Sequence, residues 1–231
     1  MNLRYGYTNS TRLENRVVVK TYSGAGSQNR FLTELVMYQQ LQDMPFMPEL
    51  VGYDKDALTI STRYVESRHA QDLLEEHCDI VPFSLGKLAR ELQLVKVDAI
   101  AGSKRNEPDV LVHGDFGPQN LLFAPESFSE RYLVDWEWAH FGDRFEDIAW
   151  AEWIIRMHYD SNQQMIASLY KGFGLVPPWE TRHELMIRKC ENILDFAKRD
   201  DDNTQAISMW IDRVAQVKSF EEKPWQRAAR L

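Results

Sequence analysis

Residues 111–123, LVHGDFGPQNLLF, constrain this chain more than any other stretch. Two short apolar runs of strand length flank a polar loop that holds His113, Asp115 and Asn120. A third apolar run, in YLVDWEW, ends on Asp135. Acceptor side chains are therefore expected at the ends of buried strands, where side-chain position is well fixed. No Lys or Arg lies within 111–123, and a carboxylate taken out of water needs a cation or hydrogen-bond donors. A magnesium-nucleotide site answers that need.

The upstream sequence supplies partners in a fixed order. Residues 3–22 read as a small antiparallel sheet, with turn chemistry at 5–10 and at 14–15 and a β-branched run at 16–20. Side chains alternate along a strand, so Val18 and Lys20 share a face. After the Gly-containing loop 23–27, a helix is expected over 28–42, stopped near Pro45. Its Phe31, Leu35 and Tyr38 fall on one face with Glu34 among them. A carboxylate on an apolar stripe is costly unless a cation meets it, and Lys20 is the nearest by topology.

Residues 50–53 and 57–65 read as two further strands. At 66–71 the sequence turns helix-rich, which sets a boundary between an N-terminal lobe, 1–65, and a C-terminal lobe, 66–231. Helices are expected at 72–77, 84–95, 147–159, 162–173, 180–199 and 204–220. A small sheet followed by helical mass predicts an α+β chain in two lobes.

Charge narrows the partners. The 35 acidic and 27 basic residues leave a formal net charge of -8, and the basic residues form no stripe. That pattern disfavours nucleic acid and favours a cationic small molecule. Cys78 and Cys190 match no metal or redox spacing and read as reduced, buried side chains. No signal-peptide core or membrane span is seen, so the expected compartment is the cytoplasm, without membrane association. The acidic group Glu191, Asp195, Asp200, Asp201 and Asp202 reads as a solvated helix face, or else as the place where an amino-bearing acceptor is held. Trp136, Trp138, Trp150 and Trp153 read as core and wall rather than a cation cage. Nothing in the sequence selects an oligomeric state.

Phosphoryl transfer asks a protein for few groups: a carboxylate for the incoming hydroxyl, oxygen ligands for magnesium and a cation on the phosphates. Asp115 and Asn120 stand in the D-x-x-x-x-N relation of kinase catalytic loops, and Asp135 follows on the next strand. The series HGDFGPQN at 113–120, DWE at 135–137, Gly142-Asp143 and Asp147 resembles the H-G-D-x-x-x-x-N and D-W-E…G-D…D-L-A signatures of the aminoglycoside phosphotransferase and choline kinase family. These are small-molecule relatives of the protein kinases. The resemblance implies a two-lobed protein-kinase-like fold. It also implies transfer of the γ-phosphoryl group of ATP, or GTP, to a hydroxyl of a small acceptor. An aminoglycoside-, choline- or ethanolamine-like compound is expected.

Individual roles follow from the resemblance. Asp115 accepts or orients the hydroxyl proton, Asn120 and Asp135 hold Mg2+, and Lys20, steadied by Glu34, binds the α- and β-phosphates. Val18 and Leu122 form the roof and floor of the adenine pocket, and Arg63, Tyr64 and Val65 form the hinge strand. His113 is a structural member of the loop, and Asp147 braces its backbone. Only Gly6 stands in the expected phosphate loop, so Thr8 and Asn9 must help cover the phosphates. That sparse loop is the one feature favouring another class, a catalytically weak kinase-fold protein that binds a ligand or partner. A metal-dependent hydrolase built on His113 and Asp115 lacks the further His and Asp ligands it would need.

Overall fold

Asn15 and Arg16 both adopt the left-handed backbone region, with φ 48 and 63, the geometry that lets a two-residue turn match strand twist. They join β1 (Ser10–Glu14) to β2 (Val17–Thr21) in a computed structural model that describes residues 9–160, 162–199 and 204–222. Ser10, expected in a turn, instead opens β1 opposite Thr21. β3 (Leu50–Asp54) and β4 (Thr59–Arg63) complete an antiparallel sheet in the order β1-β2-β4-β3. β4 begins two residues later than expected because Asp54 Oδ1 accepts the amides of Asp56 and Ala57 and closes a turn there.

Helix α1 (Ser27–Gln40) packs against β3 and β4 of this sheet and against residues 136–138. Phe31, Leu35, Met37 and Tyr38 are buried, and so is Glu34. After β5 (Arg68–His69), the helix expected at 72–77 is only the single turn α2 (Ala70–Leu73). Leu73 and Leu74 are buried, but exposed Glu75 and Glu76 offer nothing further to pack, so the chain turns until Asp79 caps α3 (Ile80–Leu92).

β6 (Val110–Val112) pairs with β9 (His140–Gly142), and β7 (Leu121–Ala124) lies between β5 and β8 (Ser127–Leu133). A 3-10 turn, Trp136–Trp138, separates β8 from β9. Helices α4 (Glu146–His158), α5 (Gln163–Phe173), α6 (Trp179–Ala197) and α7 (Thr204–Lys218) follow. Asn162 caps α5 by accepting the amides of Gln164 and Met165 at 3.0 and 3.1 Å. The expected elements thus form an antiparallel sheet first and helices after. Among the described residues no helix is long and apolar enough to cross a membrane. Both cysteines are free; Cys190 is buried, whereas Cys78 is only half-buried.

One apolar core runs from Phe31 and Leu35 through Leu111, Phe116 and Trp136 to Ile148 and Phe173. The strand ends that carry the polar loop are therefore rooted in the same packing as α1 and α4. A second cluster, including Trp150, Trp153, Met186, Cys190 and Val217, joins α4, α6 and α7. Helices α3 and α5 approach backbone to backbone. A Cβ on Gly86 would lie 1.9 Å from Leu169 O, and one on Gly172 would lie 2.0 Å from Phe83 O.

Gly86→Ala is expected to force the two helices apart and to cost about 1–3 kcal/mol. Chemical denaturation should show a lowered midpoint with little change in slope.

Candidate active site

The polar loop is held through its backbone amides by a side chain of the following helix. Asp147, in the first turn of α4, accepts the amide of His113 at 2.8 Å and that of Gly114 at 3.0 Å. Burial pushes its carboxyl upward, and His113 and those two amides oppose that. Gly114 has φ 82, and a Cβ there would meet Trp138 O at 2.1 Å, so only glycine fits. The buried His113 ring accepts the Asp115 amide at Nδ1, 3.2 Å, which leaves Nε2–H to donate to Val134 O at 3.1 Å. Burial lowers its pKa and keeps the imidazole neutral.

Asp115 emerges from this frame. Asn120 Nδ2 donates to its carbonyl at 2.8 Å and to Oδ2 at 2.9 Å, while Trp150 Nε1 donates to Oδ1 at 3.2 Å. Gln119 Nε2 is 3.4 Å from the same Oδ1. Burial and the Asp135 carboxylate raise the Asp115 pKa, against Lys189, Asn120 and Trp150. The result is a more basic carboxylate, suited to accept a proton. Because the Asn120 amide nitrogen faces Asp115, its Oδ1 is turned the other way.

A second group of charges lies across from it. Asp135 is a non-glycine residue in the left-handed region, φ 69 and ψ 57, where β8 gives way to the 3-10 turn. Lys20 on β2 bonds Asp135 directly, lies 2.5 Å from Glu34 Oε2 and 3.3 Å from Glu137 Oε2. Tyr22 also donates to Glu34. Burial opposes the Lys20 charge, but Asp135, Glu34 and Glu137 outweigh it and hold the ammonium well above its ordinary pKa. Burial works on Asp135 too, yet Lys20 keeps that carboxyl below its usual range. Glu34 is pushed upward by burial, with Lys20 opposing.

Glu34, Asp135 and Glu137 offer carboxylate oxygens within 4.8 Å of one another. Buried Arg30 lies 3.3 Å from Glu137, donates to Asn9 Oδ1 at 2.9 Å and to Ser23 O at 2.7 Å. Two cations therefore face three carboxylates and leave a residual negative charge; Glu34 and Glu137 are buried against those cations, and Asp135, its side chain 32% exposed, is the one open to offer a hard oxygen to a divalent ion.

The structure thus brings together Lys20, Glu34 and Asp135, and separately Asp115 and Asn120, whose loop is linked to Asp135 through the His113 bond to Val134. Asn9 joins the acidic cluster, its Nδ2 2.5 Å from Glu137 Oε2. Val18 is half-buried opposite Thr62 on β4, and Leu122 is half-buried on β7 between His69 and Tyr132. Tyr64 and Val65 are half-buried just past β4, and the Tyr64 amide donates to Arg16 O at 2.9 Å. Thr8, Asp200, Asp201 and Asp202 lie outside the described residues. Glu191 pairs with Lys218 at 2.7 Å and Asp195 with Lys198 at 3.2 Å, all four well exposed, which is a solvated face.

Sequence reasoning missed Arg30, Glu137, Trp150 and Lys189 as neighbours of the site. Arg30 had a signal, since it lies four residues before Glu34 and so shares its helix face. Lys189 had none, because its approach depends on how α6 packs.

Residues 63–175 match the model of the phosphotransferase enzyme family. Over 47 residues, 20% of this chain, the sequence is 43% identical to acyl-CoA dehydrogenase family member 10 of Mus musculus, and the chain spans only 4% of that relative's length. Among solved structures, a choline/ethanolamine kinase family protein from Mesorhizobium loti is similar with a TM-score of 0.69 at 16% identity, over 98% of this chain and 89% of that one. The GDP complex of aminoglycoside 2'-phosphotransferase-IIIa is similar with a TM-score of 0.73 at 14% identity, over 94% and 91%. The fold is therefore the protein-kinase-like one anticipated from the sequence.

Asp147→Ala leaves two buried loop amides without an acceptor, each costing about 1–3 kcal/mol. Thermal melting should show a marked loss of stability, whereas Asp195→Ala on the solvated face should leave the melting temperature within error.

Proposed function

We propose that this chain, whose residues 63–175 match the model of the phosphotransferase enzyme family, transfers the γ-phosphoryl group of ATP or GTP to a hydroxyl of a small molecule. The observation that carries the reading is the convergence of Lys20, Glu34 and Asp135 from three segments, beside an Asp115 held by Asn120. In this reading residues 1–65 take the nucleotide and residues 66–231 supply the catalytic loop and the acceptor site.

Lys20, oriented by Glu34, binds the α- and β-phosphates, and Asn9 with Thr8 covers them. Val18, Tyr64, Val65 and Leu122 form the nucleoside pocket. Asn120 and Asp135 are the residues that would hold magnesium, which would neutralise phosphate charge. Asp115 accepts the hydroxyl proton while the acceptor oxygen bonds to phosphorus and the bond to the leaving nucleoside diphosphate breaks. The GDP in the aminoglycoside phosphotransferase complex supports a purine nucleotide. The names of the similar structures make aminoglycosides, choline and ethanolamine the first acceptors to assay. The -8 formal charge is compatible with a cationic one.

Nucleoside diphosphate release across a panel of hydroxylated amines, acids and sugars tests this directly. Asp115→Ala and Asp135→Ala should each lower kcat by at least about 100-fold, and Lys20→Ala should act mainly by raising the nucleotide KM. Full turnover by Asp115→Ala defeats the mechanism. A wild-type protein whose melting temperature ignores millimolar magnesium-ATP and magnesium-GTP is not a nucleotide enzyme.

A further inference from the structure

We propose that Lys189, on α6 and outside every motif, is a positioning residue that fixes the peptide entering Asp115; the proposal rests on the phosphoryl-transfer reading above. The catalytic loop contains no Lys or Arg of its own. Its most permissive backbone position is Gly114, immediately before the base and in the left-handed region. Asp147 anchors the Gly114 amide and His113 Nδ1 accepts the Asp115 amide, which leaves the Gly114 carbonyl as the remaining polar group of the peptide that enters Asp115. Lys189 takes it, since its ammonium donates to the carbonyl oxygen of Gly114, and so holds that peptide from its other face. Each side of Gly114 is thereby tied to a charged side chain from a different helix.

A second route leads from Lys189 to the carboxylate itself. Its ammonium lies 5.7 Å from the centre of the Trp150 ring, and the Trp150 indole N–H donates to Asp115 Oδ1. Trp150 is held in turn by Trp153, stacked at 4.2 Å and 7°. Backbone and side chain of the base therefore share one remote support. Burial draws the Lys189 pKa down, and Asp115, Asp147 and Glu146 counter it. An apolar side chain at this position would lose the bond to the carbonyl and the cation over the ring.

Misplacing a reacting group by about 1 Å can cost on the order of 100-fold in rate. Lys189→Met should thus lower kcat about 10- to 100-fold while both KM values stay within about twofold, and Lys189→Arg should recover most of the loss. Trp150→Phe, which keeps a ring but removes the N–H, should lower kcat as well. The double variant should lose less than the product of the two single losses. Hydrogen exchange gives a readout independent of turnover: amides of 113–120 should exchange faster in Lys189→Met and be unchanged in Lys198→Met, a surface control. Wild-type kcat in Lys189→Met, a loss confined to KM, or unchanged loop exchange overturns the proposal. Absence of turnover in the wild type with every acceptor defeats the phosphoryl-transfer reading instead, and the exchange experiment still decides whether Lys189 holds the loop.

Discussion

The Lys20 ammonium lets Glu34, Asp135 and Glu137 crowd into one interior region between the first sheet and the loop that follows β8. Like charges that close repel strongly once removed from water, and each is costly to bury alone. Lys20 offsets the repulsion from the sheet side and Arg30 from the helix side. Their positions are mutually dependent: β2 sets the lysine, α1 sets Glu34 and Arg30, and the left-handed turn at Asp135 brings the remaining two carboxylates in. The geometry of this region is therefore an electrostatic balance first and a packing arrangement second.

The helical part contains a contrasting charge group. Glu152, fully buried on α4, meets Arg156 at 2.8 Å and Arg182 at 2.6 Å and accepts from Tyr170. The guanidinium of Arg182 also lies over Tyr170 and Trp179. Here the cations are in excess and the aromatic faces supply the balance, linking α4, α5 and α6. Removing one partner from such a group is far more damaging than its net contribution implies, because a buried charge is left uncompensated. The two groups differ in composition, the first with carboxylates in excess and the second with guanidiniums in excess that also bond the carbonyls of Pro177 and Glu221.

Much of this was legible in the residues. The loop at 113–120 and Asp135 carried their own spacing, and the helices with a continuous apolar stripe, such as that around Phe31 and Leu35, fell within a few residues of where the pattern put them. The failures were local or remote. At 72–77 a short acidic run looked helical, but beyond Leu73 and Leu74 it had nothing apolar to bury. At Ser10 a turn-forming residue was recruited by pairing with Thr21. Lys189 and Trp150 were out of reach for a different reason: their meeting with Asp115 is decided by the packing of α4 against α6, which no periodicity records. Arg30 was in view, but its partner Glu137 is more than a hundred residues away in the chain.

The glycines at 86 and 172 carry a further consequence. What stands in the way of a side chain at either position is the other helix's peptide carbonyl, not a side chain that could be trimmed. No substitution in one helix can be repaired by shortening a neighbour in the other. The α3–α5 pair is thus a ruler of fixed length within an otherwise adjustable helical mass. Changes that reshape the helical part must be made elsewhere, in the layer of indoles and cations between α4, α6 and α7.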